Sequence, residues 1–68
     1  MKRAIFTAQR EYGKVEFEVL VTDYDPHYHN YYCISADHKD KFPMMSMGGL
    51  MMVSAKWVNP INLKFLEE

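Results

Sequence analysis

Hydrophobic and polar residues alternate through the first third of the chain, and this pattern predicts β-strands. The clearest segment spans Lys14 to Thr22, where apolar side chains occupy every second position: Val15, Phe17, Val19 and Val21. A period of two places these four side chains on one face of a half-buried strand. Lys2 to Gln9 shows the same alternation, with Phe6 as the expected core anchor. Gly13 closes the short connection and can adopt a positive φ, so the two segments predict a hairpin.

A third strand is predicted after a polar loop. Asp25-Pro26 ends the second strand, because proline lacks a backbone donor and the aspartate side chain can cap the turn. Tyr31 to Ala36 is rich in β-forming residues and is expected to be the third strand, with Cys33 on the same face as Tyr31. The polar segment 37–41 is expected to be an exposed loop.

The segment from Met44 to Val58 is compatible with two structures. As strands, Met44 to Met47 and Leu50 to Val58 would be joined by the pair Gly48-Gly49 in a tight turn. As a helix, the segment would begin with Ser46 as N-cap and end at Asn59-Pro60. Glycine costs about 1 kcal/mol in a helix relative to alanine, so we favour strands.

These elements predict a single, mostly β domain over residues 1–68. Ile61 to Leu66 would add a short closing strand, which gives five or six strands in all. We therefore expect a small SH3-like barrel or a strongly bent antiparallel sheet, because a flat sheet of this size would leave its edges exposed. The alternative is an α+β fold with one helix near residues 46–58.

Composition narrows the classes of function. The chain has 68 residues, is 49% hydrophobic and has a net charge of -1, which is typical of a folded domain and offers no basic surface for duplex DNA or anionic membranes. No segment has the length of a membrane span or of an export signal. Cys33 is the only cysteine and has no intrachain partner, so we expect a cytoplasmic protein without disulfides.

Methionine is the most unusual feature of the sequence. Five methionines fall between positions 44 and 52, and consecutive ones point to opposite sides of a strand or helix, so a one-sided core cannot bury them all. Methionine-rich apolar surfaces adapt to protein partners. The sequence therefore predicts a non-enzymatic interaction module, an adaptor or inhibitor of the kind found in bacteriophages, which docks on a larger protein or forms a homodimer. The predicted contact residues are Phe42, Met44, Met45, Met47, Leu50, Met51, Met52 and Trp57.

A second hypothesis is a small barrel that binds single-stranded nucleic acid. Aromatic rings can stack on bases and lysines can contact the phosphate backbone. The residues proposed for this role are Tyr24, Tyr28, Tyr31, Lys39 and Lys41. Aspartates in the same loops dilute the positive charge, which makes protein binding the preferred hypothesis.

Metal binding and catalysis have weaker support. Potential ligands cluster between positions 23 and 33, but no recognised zinc spacing accompanies them. The set is Asp23, Asp25, His27, His29 and Cys33. A cysteine within a strand is more often a small buried hydrophobe than a nucleophile. We therefore expect no metal site, no cofactor and no enzymatic activity.

Overall fold

The computed structural model describes residues 1–11 and 13–66, which form seven β-strands and one short 3-10 helix. The strands are β1 (Lys2–Arg10), β2 (Gly13–Asp25), β3 (Asn30–Ser35), β4 (Phe42–Ser46), β5 (Gly49–Val53), β6 (Ala55–Val58) and β7 (Leu63–Phe65). The 3-10 helix is Pro60–Asn62. The mostly β fold predicted from the alternating pattern is confirmed.

Five strands form an antiparallel sheet in the order β6-β3-β2-β1-β7, and β4 with β5 forms a separate two-stranded sheet. The β1–β2 hairpin has an unbroken register, from Lys2 opposite Val21 to Arg10 opposite Gly13. Gly13 has φ 131°, a conformation that glycine adopts without steric cost. Tyr12, which precedes Gly13 in the predicted connection, lies outside the described residues.

One face of the large sheet carries the hydrophobic core, and we call it the inner face. The alternation predicts it correctly: Ala4, Phe6, Ala8, Phe17, Val19, Val21, Cys33 and Val58 are buried there. Phe6 and Phe17 lie opposite each other on neighbouring strands, with ring centroids 5.3 Å apart. Phe42 of β4 packs against both rings, with centroids 4.9 Å and 5.0 Å away. This trio of rings joins the small sheet to the large one.

The β4–β5 pair is a hairpin that contains the methionine cluster, and we call it the Met hairpin. Its last pair is Ser46 with Gly49, so the two-residue turn is Met47-Gly48, one position before the predicted glycine pair. The Ser46 hydroxyl donates to the Gly49 carbonyl at 2.9 Å, and Gly49 has φ 112°. The serine bond and the positive φ fix the turn at this position.

Three details of the predicted architecture need correction. The SH3-like barrel does not form. Among the described strands, β6 pairs only with β3 and β7 only with β1, so the sheet is bent but its edges do not close. The alternative helix near 46–58 is absent, because this segment is extended on both sides of a bend at Ser54 that separates β5 from β6. The closing strand begins only at Leu63, because Asn59 caps the 3-10 helix before it.

Candidate functional site

The Met hairpin is apolar and exposed on both of its faces. Met45 is 75% exposed and Met52 is 53% exposed, although the two side chains lie on the same face of the hairpin. Met44 and Met51 pair with each other on the opposite face and are also exposed. The full set of exposed apolar side chains here is Met44, Met45, Met47, Leu50, Met51 and Met52. The cluster is therefore surface and not core.

The hairpin is attached to the rest of the fold at its base. Phe42 and Pro43 are buried, and the Lys56 ammonium group donates to the Pro43 carbonyl at 3.1 Å. Beyond these two residues, β4 and β5 pair only with each other among the described strands. An isolated two-stranded hairpin is marginally stable in water, because it buries little apolar surface. The outer part of the Met hairpin thus lacks a partner within the described fold.

The hairpin carries no charge. Residues 42–55 contain no Asp, Glu, Lys, Arg or His, while Lys41 and Lys56 flank the segment. Exposed strand edges are usually protected from pairing by charges or proline. β4 has Pro43, whereas β5 has neither a proline nor a charged residue. The outer edge of β5 is therefore open to pairing with another strand.

A shallow groove runs beside the hairpin. Its volume is about 380 Å³, and it is lined by Arg10, Glu11, Pro43, Met45 and Leu50. The exposed side chains of Met45 and Leu50 form its apolar wall, and Arg10 with Glu11 forms its polar edge. The groove extends one face of the Met hairpin toward the end of β1.

Two of the predicted contact residues do not belong to the exposed surface of the Met hairpin. Phe42 is 0% exposed because its ring fills the core between Phe6 and Phe17, so its assignment to a partner-binding surface is wrong. Trp57 is 44% exposed but lies on the face of the large sheet opposite the core, where its ring meets that of Tyr32 at 5.1 Å. Ile34 is exposed on the same outer face, which forms a second and smaller apolar patch.

The residues predicted to bind nucleic acid do not form one surface. Tyr24 and Tyr31 pair across β2 and β3, with ring centroids 4.8 Å apart, and Tyr28 lies in the adjoining turn. Lys39 and Lys41 lie in the segment that leaves β3 at its opposite end. Lys2 lies beside this aromatic group, with its ammonium group 5.8 Å from the centroid of the Phe65 ring, which contacts Tyr31.

The candidate metal ligands have other roles. The Asp25 carboxylate accepts from the backbone N–H of His27 at 2.9 Å, which caps the turn as the sequence predicts. His29 has φ 58°, and its Nδ1 lies 3.0 Å from the Tyr24 hydroxyl. Cys33 is buried, and burial raises the pKa of its thiol to about 11. Within residues 1–11 and 13–66, no group of three acidic, histidine or cysteine side chains could hold a metal ion.

A polar cleft on the inner side of the fold was not predicted from the sequence. Its side chains come from β1, the start of β3, β6 and the 3-10 helix region: Arg10, Asn30, Lys56, Asn59 and Asn62. These residues are far apart along the chain and follow no motif. Only the sheet topology brings them together, so the sequence contained no local signal for this cleft.

Comparison with protein-family models, curated proteins and solved structures finds no significant match to this chain. Within the described part of the chain, no helix combines the length and apolar character needed to cross a membrane. The geometry of the chain itself is therefore the basis for assigning a function.

Proposed function

We propose that this protein is a non-enzymatic interaction module that docks on protein surfaces through the Met hairpin. The observation that carries the proposal is the simultaneous exposure of six large apolar side chains on a hairpin that the described fold leaves uncovered. Small monomeric domains rarely expose contiguous apolar surface of this extent without a partner. Methionine suits such a surface because its unbranched, polarizable side chain adapts to different shapes.

A second copy of the chain is the occupant that the observations favour. Burial of the six exposed apolar side chains against a second copy would remove apolar surface from water, which is the main driving force of protein association. An uncharged surface meets its own copy without like-charge repulsion. The open edge of β5 adds a means of alignment, since two copies of β5 can pair antiparallel across a two-fold axis.

The wider role we propose is that of an adaptor or inhibitor in the cytoplasm. A larger protein with an apolar surface would use the Met hairpin of the monomer, in competition with the second copy. A reducing compartment suits the buried free thiol of Cys33. Binding of single-stranded nucleic acid stays a less favoured prediction, because Lys39 and Lys41 are at the far end of β3 from the tyrosines.

The proposal is tested by light scattering over a wide range of concentration. We expect the wild-type chain to pass from monomer to dimer as its concentration rises. Met51→Lys places a charge at the centre of β5 and should weaken the dimer at least about tenfold, which is 1.4 kcal/mol. Its circular dichroism spectrum should match that of the wild type, because Met51 is exposed in the monomer.

Ile61→Lys is the matched control. Ile61 is a large, exposed apolar residue in the 3-10 helix, outside the Met hairpin, so this variant should dimerise like the wild type. A wild-type chain that is monomeric throughout, or equal weakening by Met51→Lys and Ile61→Lys, would contradict docking of a second copy. Unfolding of the Met51→Lys monomer would show that the methionines serve the core.

A further inference from the structure

The polar cleft has an unusual balance of charge. A function for this cleft does not depend on docking through the Met hairpin. Its volume is about 310 Å³, with Phe6, Ala8 and Val58 forming its apolar floor. Two cationic side chains line it, Arg10 from the end of β1 and Lys56 from β6. Among residues 1–11 and 13–66, no acidic residue lines it; Glu11, which is next to Arg10 in sequence, lines the groove beside the hairpin instead.

Neither cation of the cleft has an acidic partner among the described residues. The ion pairs among the described residues join Arg3 to Glu18 and Lys14 to Glu16. Both pairs lie on the outer face of the large sheet, away from the cleft. The Arg10 Nε atom is buried and has no hydrogen-bond acceptor. Burial and the nearby Arg10 charge lower the pKa of Lys56, as expected where positive charges lie together without a counter-ion. Buried charged donors are normally paired, so an anionic ligand would complement the charge of this cleft.

The amide side chains around the cleft supply further donors. The Asn59 carbonyl oxygen accepts from the Ile61 backbone N–H at 3.0 Å, which leaves the Asn59 NH₂ group free to donate. The Asn62 NH₂ group donates to the Thr7 carbonyl at 2.9 Å and retains a second hydrogen. The Lys56 ammonium group uses one of its three hydrogens on Pro43. Lys56, Asn59 and Asn62 therefore retain hydrogen-bond donors that these contacts do not use.

We propose that the polar cleft binds a small phosphate-type oxyanion, held by Arg10 and Lys56 and contacted by the amides of Asn59 and Asn62. An arginine guanidinium offers several donors in one plane, and a lysine ammonium adds a compact charge, the combination that recurs in phosphate sites. The cleft exceeds the volume of one phosphate ion, so it accommodates either free phosphate with water or the phosphoryl group of a monoester.

Calorimetric titration at constant ionic strength tests the assignment, with inorganic phosphate and phenyl phosphate as separate probes and chloride as the reference anion. We expect saturable binding by the wild type and at least about tenfold weaker binding by Lys56→Gln, since a charge-assisted bond is lost. The substitution removes the bond to the Pro43 carbonyl as well, so circular dichroism is used to check that the variant is folded. Tighter binding of phenyl phosphate would identify a monoester as ligand, whereas equal affinity would identify free phosphate.

Lys39→Gln is the control, because it removes one positive charge from an exposed loop away from the cleft. It should bind phosphate like the wild type. Asn59 and Asn62 side-chain amide signals should shift on titration of the wild type and not of Lys56→Gln. Absence of saturable binding beyond the chloride reference, or equal affinity of the wild type and Lys56→Gln, would overturn the proposal. Met51→Lys should bind phosphate like the wild type. Loss of phosphate binding can therefore be distinguished from loss of docking through the Met hairpin.

Discussion

At the residue scale, Cys33 shows how burial determines chemistry. The thiol lies on the inner face, is 0% exposed and donates weakly to the Tyr31 carbonyl at 3.6 Å. Its pKa is raised from 9.0 to about 11 because the charged thiolate loses hydration in the core. A thiol that stays protonated near neutral pH is a poor nucleophile, which fits a packing role.

The raised pKa of Cys33 predicts a loss of stability at alkaline pH. Above pH 9.0 the unfolded chain releases the thiol proton while the folded chain retains it, until the pH passes about 11. The full shift corresponds to about 3 kcal/mol of unfolding free energy, lost progressively across this window. Urea denaturation at successive pH values should show this loss in the wild type relative to Cys33→Ala.

Cys33→Ala also serves as the control for the other groups that titrate in this pH range. Lys56 has a lowered pKa, so its charged form disfavours the folded state, and this cost disappears as the pH rises toward 10.5. Because Cys33 lies opposite Lys56 on the neighbouring strand, the comparison is repeated in a Lys56→Gln background, where this gain is absent. Parallel stability curves for wild type and Cys33→Ala between pH 9 and 11 would contradict a perturbed thiol.

At the scale of elements, Phe42 determines whether the Met hairpin stays attached. Its ring contacts Phe6 of β1 and Phe17 of β2, and its cross-strand partner Val53 is only partly buried against the same core. Phe42→Ala should lower the free energy of unfolding by about 3–5 kcal/mol, because a large buried ring is replaced by a cavity. Phe42→Leu keeps most of the apolar volume and should cost less.

Met44→Ala is the matched comparison for the Phe42 variants, since Met44 lies on the same strand and the same face but is exposed. We expect its effect on urea denaturation to be within about 1 kcal/mol, as is usual for surface positions. Equal destabilisation by Phe42→Ala and Met44→Ala would show that the division between anchor and exposed hairpin is incorrect.

The same elements explain how far the sequence could predict the structure. β1, β2 and β3 each bury one face against the core and expose the other, so their period of two is visible in the residues. The Met hairpin exposes both faces, and its apolar residues therefore follow no period. The position of its turn depends on one side-chain bond, from Ser46 to the Gly49 carbonyl, which a propensity argument does not include.

At the scale of the whole molecule, the bent sheet leaves two features that local sequence could not reveal. Closure of a barrel depends on pairing between the first and last strands of the sheet order, which are β6 and β7 here. β6 has four residues and β7 has three, and neither segment contains a pattern that predicts whether the two strands pair. The polar cleft likewise depends on how the sheet brings Arg10 and Lys56 together. Both are long-range consequences of the fold.

We propose that a second copy of the chain covers the Met hairpin. Methionine oxidation by hydrogen peroxide, measured for each residue by mass spectrometry, tests it directly because sulfoxide formation requires an accessible sulfur. In dilute solution Met45, Met51 and Met52 should oxidise rapidly, as their exposure requires. In concentrated solution all three should be protected at least about tenfold, in step with dimer formation.

Met1 is the internal control, because it is 85% exposed and lies outside the hairpin. Its oxidation rate should be the same at every protein concentration. Selective protection of the hairpin methionines in concentrated solution is expected if a second copy covers them. Oxidation of Met45, Met51 and Met52 at a rate independent of concentration, in parallel with Met1, would contradict it.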